Sequence, residues 1–201
     1  IDMIEASDWR TAWIWNSDKS VDIFFVISGF LITGILLRQI DKYGKIQFGN
    51  FYWRRFLRLG PAYWFVIAIY AAYELNNTHN LWANLLYINN FLPFEAQAMN
   101  WTWTLAIEEQ FYLIYPLLLM VMVKYTRRPI LGLWVLLALS FVIRLLIMLL
   151  DDRLRTTPPS MIIIEPDFHA YHFSAIYDNL YSRFGALVCG CLAAYYYFNH
   201  E

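Results

Sequence analysis

Long apolar runs alternate with short polar or charged stretches along most of this chain. The runs extend over about Val21–Leu37, Leu59–Tyr73, Thr102–Val123, Ile130–Leu150 and Tyr181–Phe198, and the second continues a helix that begins near Phe51. A helix that crosses a bilayer needs about 20 mainly apolar residues, so the pattern predicts about five spans. Between the second and third runs lies an asparagine-rich stretch, Asn76–Asn100, whose apolar core, Leu81–Leu92, is 12 residues long. That is short for a crossing, and it reads as a re-entrant or interfacial helix. The predicted fold class is therefore all-α, a polytopic transmembrane helix bundle.

Composition supports this reading. The chain is 60% hydrophobic and 15% charged, against about 45–50% and about 25% for a soluble domain. The net charge of −1 says little, because the charges are segregated by position. Nine of the fifteen basic residues fall in two turns: Arg38, Lys42, Lys45, Arg54, Arg55 and Arg58 in one, and Lys124, Arg127 and Arg128 in the other. Basic loops face the cytoplasm. The opposite loops are acidic, with Asp2, Glu5, Asp8 and Asp18, then Asp151 and Asp152, then Glu165, Asp167 and Asp178. Charge placed this way meets lipid headgroups and predicts no nucleic-acid partner. The stretch Asp151–Asn179 reads as a long external loop of the kind that often carries function. The chain starts at Ile1 and stops at Glu201, and is expected to be a fragment of a longer polytopic protein.

The densest chemistry lies in FYWRRFLRLGP, Phe51–Pro61. On a helix Arg54 and Arg58 share a face, with Arg55 beside them. Guanidinium groups grip phosphates bidentately, so a phosphate-bearing donor such as coenzyme A suits them; an orienting anchor at the lipid headgroups is the alternative. Glu108 and Glu109 lie about 9–10 Å into the third span, where a carboxylate is costly and marks either function or a structural ion pair. Arg144, mid-span, and Arg183, at the start of the last span, are each candidate partners for a glutamate. Asp22 stands in the first turn of the first span, where a carboxylate complements the helix N-terminus. Ser28, Gly29, Thr33 and Gly34 form a small-residue patch that permits close helix approach. Cys189 and Cys191, at i and i+2, point roughly 200° apart on a helix and read as packing residues. His169 and His172 have no third ligand at metal-binding spacing, and no metal site is expected.

Four blocks, in this order, resemble the membrane acyltransferase-3 family: SVDIFFVISGFLI at Ser20–Ile32, FYWRRFLRLGPAYW at Phe51–Trp64, WTWTLAIEEQFYLIYP at Trp101–Pro116 and YSRFGALVCGCLAAY at Tyr181–Tyr195. They are similar to the family's VD-x-FF-x-x-SGFLI, its F-x-x-RR-x-x-R-x-x-P-x-Y, its W-[ST]-L-x-x-E-x-x-[FY]-Y-x-x-x-P and a looser span that begins with arginine. The whole chain, 1–201, then reads as part of one acyltransferase-3-like membrane domain. The resemblance implies an O-acyltransferase of about ten helices in the bacterial inner membrane. It would move an acyl group, usually acetyl, from cytoplasmic acyl-coenzyme A to a saccharide or other cell-envelope hydroxyl. Acetyl-CoA or another acyl-CoA is a cosubstrate, and no bound cofactor is implied. It makes Glu108 the catalytic motif acid and Arg54, Arg55 and Arg58 donor-binding residues, with Asp22, Ser28, Gly29, Glu109 and Arg183 in support.

One departure matters. The family's general-base histidine is expected in a helix before the SGFL block, and Ile1–Lys19 contains no histidine. The chain alone is therefore expected to be inactive. The rival reading is a membrane transporter in which Glu108, Glu109 and Arg144 form an intramembrane relay.

Overall fold

The computed structural model describes residues 18–126, 128–158 and 160–199, and among them every regular element is helical. Five helices are long: α1 (Asp18–Tyr43), α2 (Phe48–Ala72), α4 (Trp103–Tyr125), α5 (Pro129–Leu150) and α9 (Leu180–Asn199). Short elements join them: α3 (Leu81–Leu85), α6 (Asp152–Thr156), α7 (Met161–Ile164) and α8 (Pro166–His172). By length and apolarity α1, α4 and α5 each qualify as membrane spans. The 25-residue α2 is long enough but carries Arg54, Arg55 and Arg58, and α9 opens on Ser182 and Arg183.

Glycine sets the tightest helix pair. A Cβ on Gly29 would lie 1.9 Å from the Leu187 carbonyl oxygen of α9, and one on Gly190 would lie 1.9 Å from the Val26 carbonyl oxygen of α1. Only two bare backbones can approach so closely. The pair is parallel, since Arg183 meets Asp22 at one end and Phe198 packs on Gly34 at the other. Phe25, Leu36, Ile107, Tyr115, Leu119, Leu187, Val188 and Cys191 fill the core between α1, α4 and α9. A 2.8 Å hydrogen bond between Thr33 and Tyr115 ties α1 to α4 inside it. Cys191 is buried and Cys189 exposed, both as free thiols. Most of α5 points outward, with Leu131, Val135, Phe141 and Leu145 exposed, as suits a lipid-facing helix.

Helix α2 runs antiparallel to α4 and passes through Gly60 and Pro61 unbroken. Tyr52 OH donates to the Leu113 carbonyl at 2.9 Å, and Tyr63 OH lies 3.4 Å from Thr102 Oγ1. The Asn76–Asn100 stretch does not cross. It folds as α3 and several 3-10 turns, with Asn77 and Tyr87 at positive φ. The predicted loop Asp151–Asn179 is in fact a run of short helices. Asp151 caps α6 by accepting the Leu154 N–H, Pro166 opens α8, and a π-helical turn, Phe173–Tyr177, leads to α9. Its capping and proline signals start and stop helices too short to show an apolar period.

Candidate active site

Three helices bring polar side chains together beside α1's small-residue patch. Glu108, on α4, is buried. Its Oε1 accepts hydrogen bonds from Ser28 of α1 and, at 3.1 Å, from Tyr112 one turn along its own helix. Its neighbour Glu109 faces α2, where Arg55 reaches its Oε1 through both Nε and Nη2 at 2.9 Å. The same guanidinium lies over the Tyr112 ring, 3.3 Å from its centroid. A continuous chain thus runs Ser28–Glu108–Tyr112–Arg55–Glu109. Consecutive carboxylates point about 100° apart on a helix, which lets Glu108 face α1 while Glu109 faces α2.

A cavity of about 270 Å³ opens beside this chain, lined by Arg55, Tyr87, Glu109, Gln110 and Tyr112 among others. A smaller one of about 90 Å³ adjoins it and shares Tyr52, Arg55, Tyr87 and Glu109. Tyr87 is held there in a left-handed backbone conformation, φ 56°, an arrangement a bulky residue adopts only under constraint. Gln110 supplies the constraint by donating to the Tyr87 carbonyl and to Asn90 Oδ1, both at 2.7 Å. The Tyr87 ring stacks on Tyr63, 4.9 Å between centroids. Burial, reinforced by the nearby Glu109 carboxylate, pushes the Tyr87 hydroxyl up to about 12, so it stays a hydrogen-bond donor.

The arginines do not lie where the sequence suggested. Glu109 is six residues from the start of α4 at Trp103, about 9 Å along the axis, whereas Lys124 is fifteen residues farther on. Arg55 therefore sits at membrane depth, toward the Trp103 end, and not at the basic boundary. The reason is the short turn after α1, which starts α2 well inside the length of α4. Arg54 and Arg58, within one turn of Arg55, are exposed and have no ion pair or hydrogen bond among the described residues.

A second charged pair stands at the Trp103 end. Arg183 Nη1 binds Asp22 Oδ1 at 3.0 Å and its Nε donates to the Tyr177 carbonyl at 2.9 Å. So Arg183 pairs with Asp22 and not with a glutamate, and Asp22, already a turn inside α1, pairs instead of capping. Arg144 lies within electrostatic range of Asp22 and Arg183. It makes no contact with Glu108 or Glu109, and the relay Glu108–Glu109–Arg144 is not assembled. Gly29 contributes the close helix contact that carries its neighbour Ser28 to Glu108.

The description "Acyltransferase domain" belongs to the acyltransferase-3 family model, which matches residues 17–201. The chain belongs to the acyltransferase-3 family. It is 36% identical over 140 residues to the peptidoglycan O-acetyltransferase OatA of Listeria monocytogenes, covering 59% of this chain and 22% of that protein. It is 34% identical over 125 residues to the O-acetyltransferase OatA of Staphylococcus aureus, covering 53% of this chain and 21% of that protein. The chain thus spans about a fifth of the length of the relatives it matches. No solved structure matches it. Within this acyltransferase-3 domain, sequence reasoning did not single out Tyr87, Gln110 or the stacking of Arg55 on Tyr112. Gln110 carried a readable signal, a third consecutive polar residue inside a span; Tyr87 carried none.

Proposed function

We propose that this chain forms part of a membrane O-acyltransferase that moves an acyl group, acetyl by preference, from acyl-coenzyme A on the cytoplasmic side to a hydroxyl of an extracytoplasmic saccharide in the bacterial cell envelope. The observation that carries this reading is the Ser28–Glu108–Tyr112–Arg55–Glu109 chain at the wall of a cavity beside α4, a helix long and apolar enough to cross a membrane. Arg54 and Arg58 add to it. Charged side chains at this depth are costly unless they meet a counter-charge or water, and an anionic donor entering from the basic end supplies one. Guanidinium groups suit the donor's phosphates, and a cavity of about 270 Å³ suits the slender thioester arm, not the whole nucleotide.

In this reading Arg54 and Arg58 hold the phosphates, and Arg55, fixed by Glu109 and Tyr112, joins them at the wall of the cavity. Glu108 positions the general base, a histidine that the family resemblance puts in a helix preceding Ser20. That base removes the acceptor's hydroxyl proton as the oxygen attacks the thioester carbonyl, and the coenzyme A thiolate leaves. Asp22 and Arg183 brace the end of the bundle from which the acceptor arrives.

Donor binding tests the reading. Acetyl-coenzyme A titrated onto the membrane-embedded protein should bind about tenfold or more weakly to the Arg54→Ala/Arg58→Ala variant. Equal affinity, with normal membrane insertion, would remove the donor-docking role.

A further inference from the structure

A second cavity, about 620 Å³, opens at the Trp103 end of the bundle, away from Arg55. It lies between the Asn90–Glu95 turn and the Asp167–Tyr181 segment. Its walls are fixed from behind. The Phe94 N–H donates to Ser174 Oγ at 2.8 Å, and Gln97 Nε2 donates to the Leu92 carbonyl at 2.9 Å and to buried Asp178 at 2.7 Å. Asn90 is held by Gln110, and Asn179 by the Ser174 carbonyl at 2.5 Å. The two segments form one preorganised cleft of ligand-binding size.

We infer that this cleft is the binding site for the acceptor, and that it selects an uncharged saccharide over an anionic one. This rests on the acyltransferase reading above. Phe94 and Tyr171 supply aromatic surface to the lining. Around them, over a floor that includes buried Asn90 and Asn179, stand the carboxylates of Glu95 and Asp167 and the Arg153 guanidinium, which lies 4.7 Å over the Tyr171 ring. Sugar hydroxyls both donate and accept, so they satisfy acceptor-only carboxylates and a donor-only guanidinium at once. Two carboxylates against one guanidinium leave a net negative lining, which repels uronic acids and other polyanions. The cleft is also coupled to the chemistry: Asn90 on its wall is bonded to Gln110, which lines the Arg55 cavity, and packed rings tie it to α4. Phe94 packs on Phe173 (4.8 Å between centroids) and Phe173 on Trp103 (6.0 Å). Glu108 follows Trp103 by five residues, about 7.5 Å along α4.

The test is equilibrium binding of two probes to the membrane-embedded protein without donor: the neutral disaccharide N,N′-diacetylchitobiose and a uronic-acid disaccharide of the same size. The neutral probe should bind at least about tenfold more tightly. Ala170→Trp, which fills the cleft, should abolish its binding. Glu95→Gln/Asp167→Asn, both exposed positions, should bring the two probes within about threefold of each other without disturbing the fold. Equal binding of both probes to the unmodified protein, unchanged binding after Ala170→Trp, or tighter binding of a basic tripeptide than of the disaccharide would each overturn the inference. Because no donor is present, saccharide binding survives even where acyl transfer is absent. Failure of the cleft and failure of the acyltransferase reading are therefore separable.

Discussion

Arg55 meets Glu109 through two nitrogens on one carboxylate oxygen while its guanidinium plane covers the Tyr112 ring. Both side chains of the pair are about four-fifths buried, at 21% and 22% exposure. Removing one member of such a pair strands the other charge and costs about 3–5 kcal/mol. Arg55→Gln should therefore lower the melting temperature in detergent by several degrees. Adding Glu109→Gln should restore most of the loss, because no charge is then left alone. In the complete acyltransferase that contains this chain, acyl transfer should stay lost in the double variant, as the proposed donor-binding role of the guanidinium requires. Recovery of transfer along with stability would make Arg55 a purely structural residue.

The glycine contact between α1 and α9 gives a prediction of opposite character. A methyl group at Gly29 or Gly190 would meet a carbonyl oxygen at 1.9 Å, and backbone cannot swing aside as a side chain does. Overpacking of a fitted interface costs about 1–3 kcal/mol or more. Either Gly→Ala change should reduce the yield of folded protein sharply and shift thermal unfolding down. Gly49→Ala, where a Cβ has nothing within 4 Å, should be neutral. Equal tolerance at all three positions would show that the two helices do not touch there.

Asp178 makes the segment between α8 and α9 sensitive to pH. Burial raises its carboxyl from 3.8 to about 7, against the opposing hydrogen bond from Gln97. Below about pH 4 the group is protonated whether this segment is folded or open. Between about 4 and 7 only the folded form keeps the proton, so stability falls as pH rises and the contribution is gone above about 7. Hydrogen exchange over residues 92–97 and 173–179 should be faster at pH 8 than at pH 5, by up to about tenfold per pH unit inside that window, after correction for intrinsic exchange. Asp178→Asn should flatten the dependence. Slower exchange at high pH would reverse the sign and refute the buried neutral carboxyl.

The bundle was legible because long apolar runs leave few alternatives, and a carboxylate pair inside one of them marks a candidate site from spacing alone. The register between helices was not legible. Nothing local to FYWRRFLRLGP says that α2 starts partway along α4, so the arginines read as boundary residues although Arg55 reaches Glu109 at depth. Likewise Arg183 could have met any acid; its pairing with Asp22 follows from the Gly29–Gly190 crossing, which joins segments 161 residues apart. Tyr87 belongs to the site only because a turn in left-handed geometry aims it there. The short helices after Asp151 escaped because their order comes from caps and one buried anchor, Phe168, and not from periodicity.

The most direct test is acyl transfer from labelled acetyl-coenzyme A to a saccharide acceptor by the complete membrane-embedded acyltransferase that contains this chain, carrying Glu108→Gln. The amide keeps the shape and can still bond Ser28 and Tyr112, so folding and donor binding should be preserved. Transfer should fall about 100-fold or more, the scale of a general base left out of position. Transfer within about twofold of the unmodified protein would contradict a role for this buried carboxylate in the chemistry.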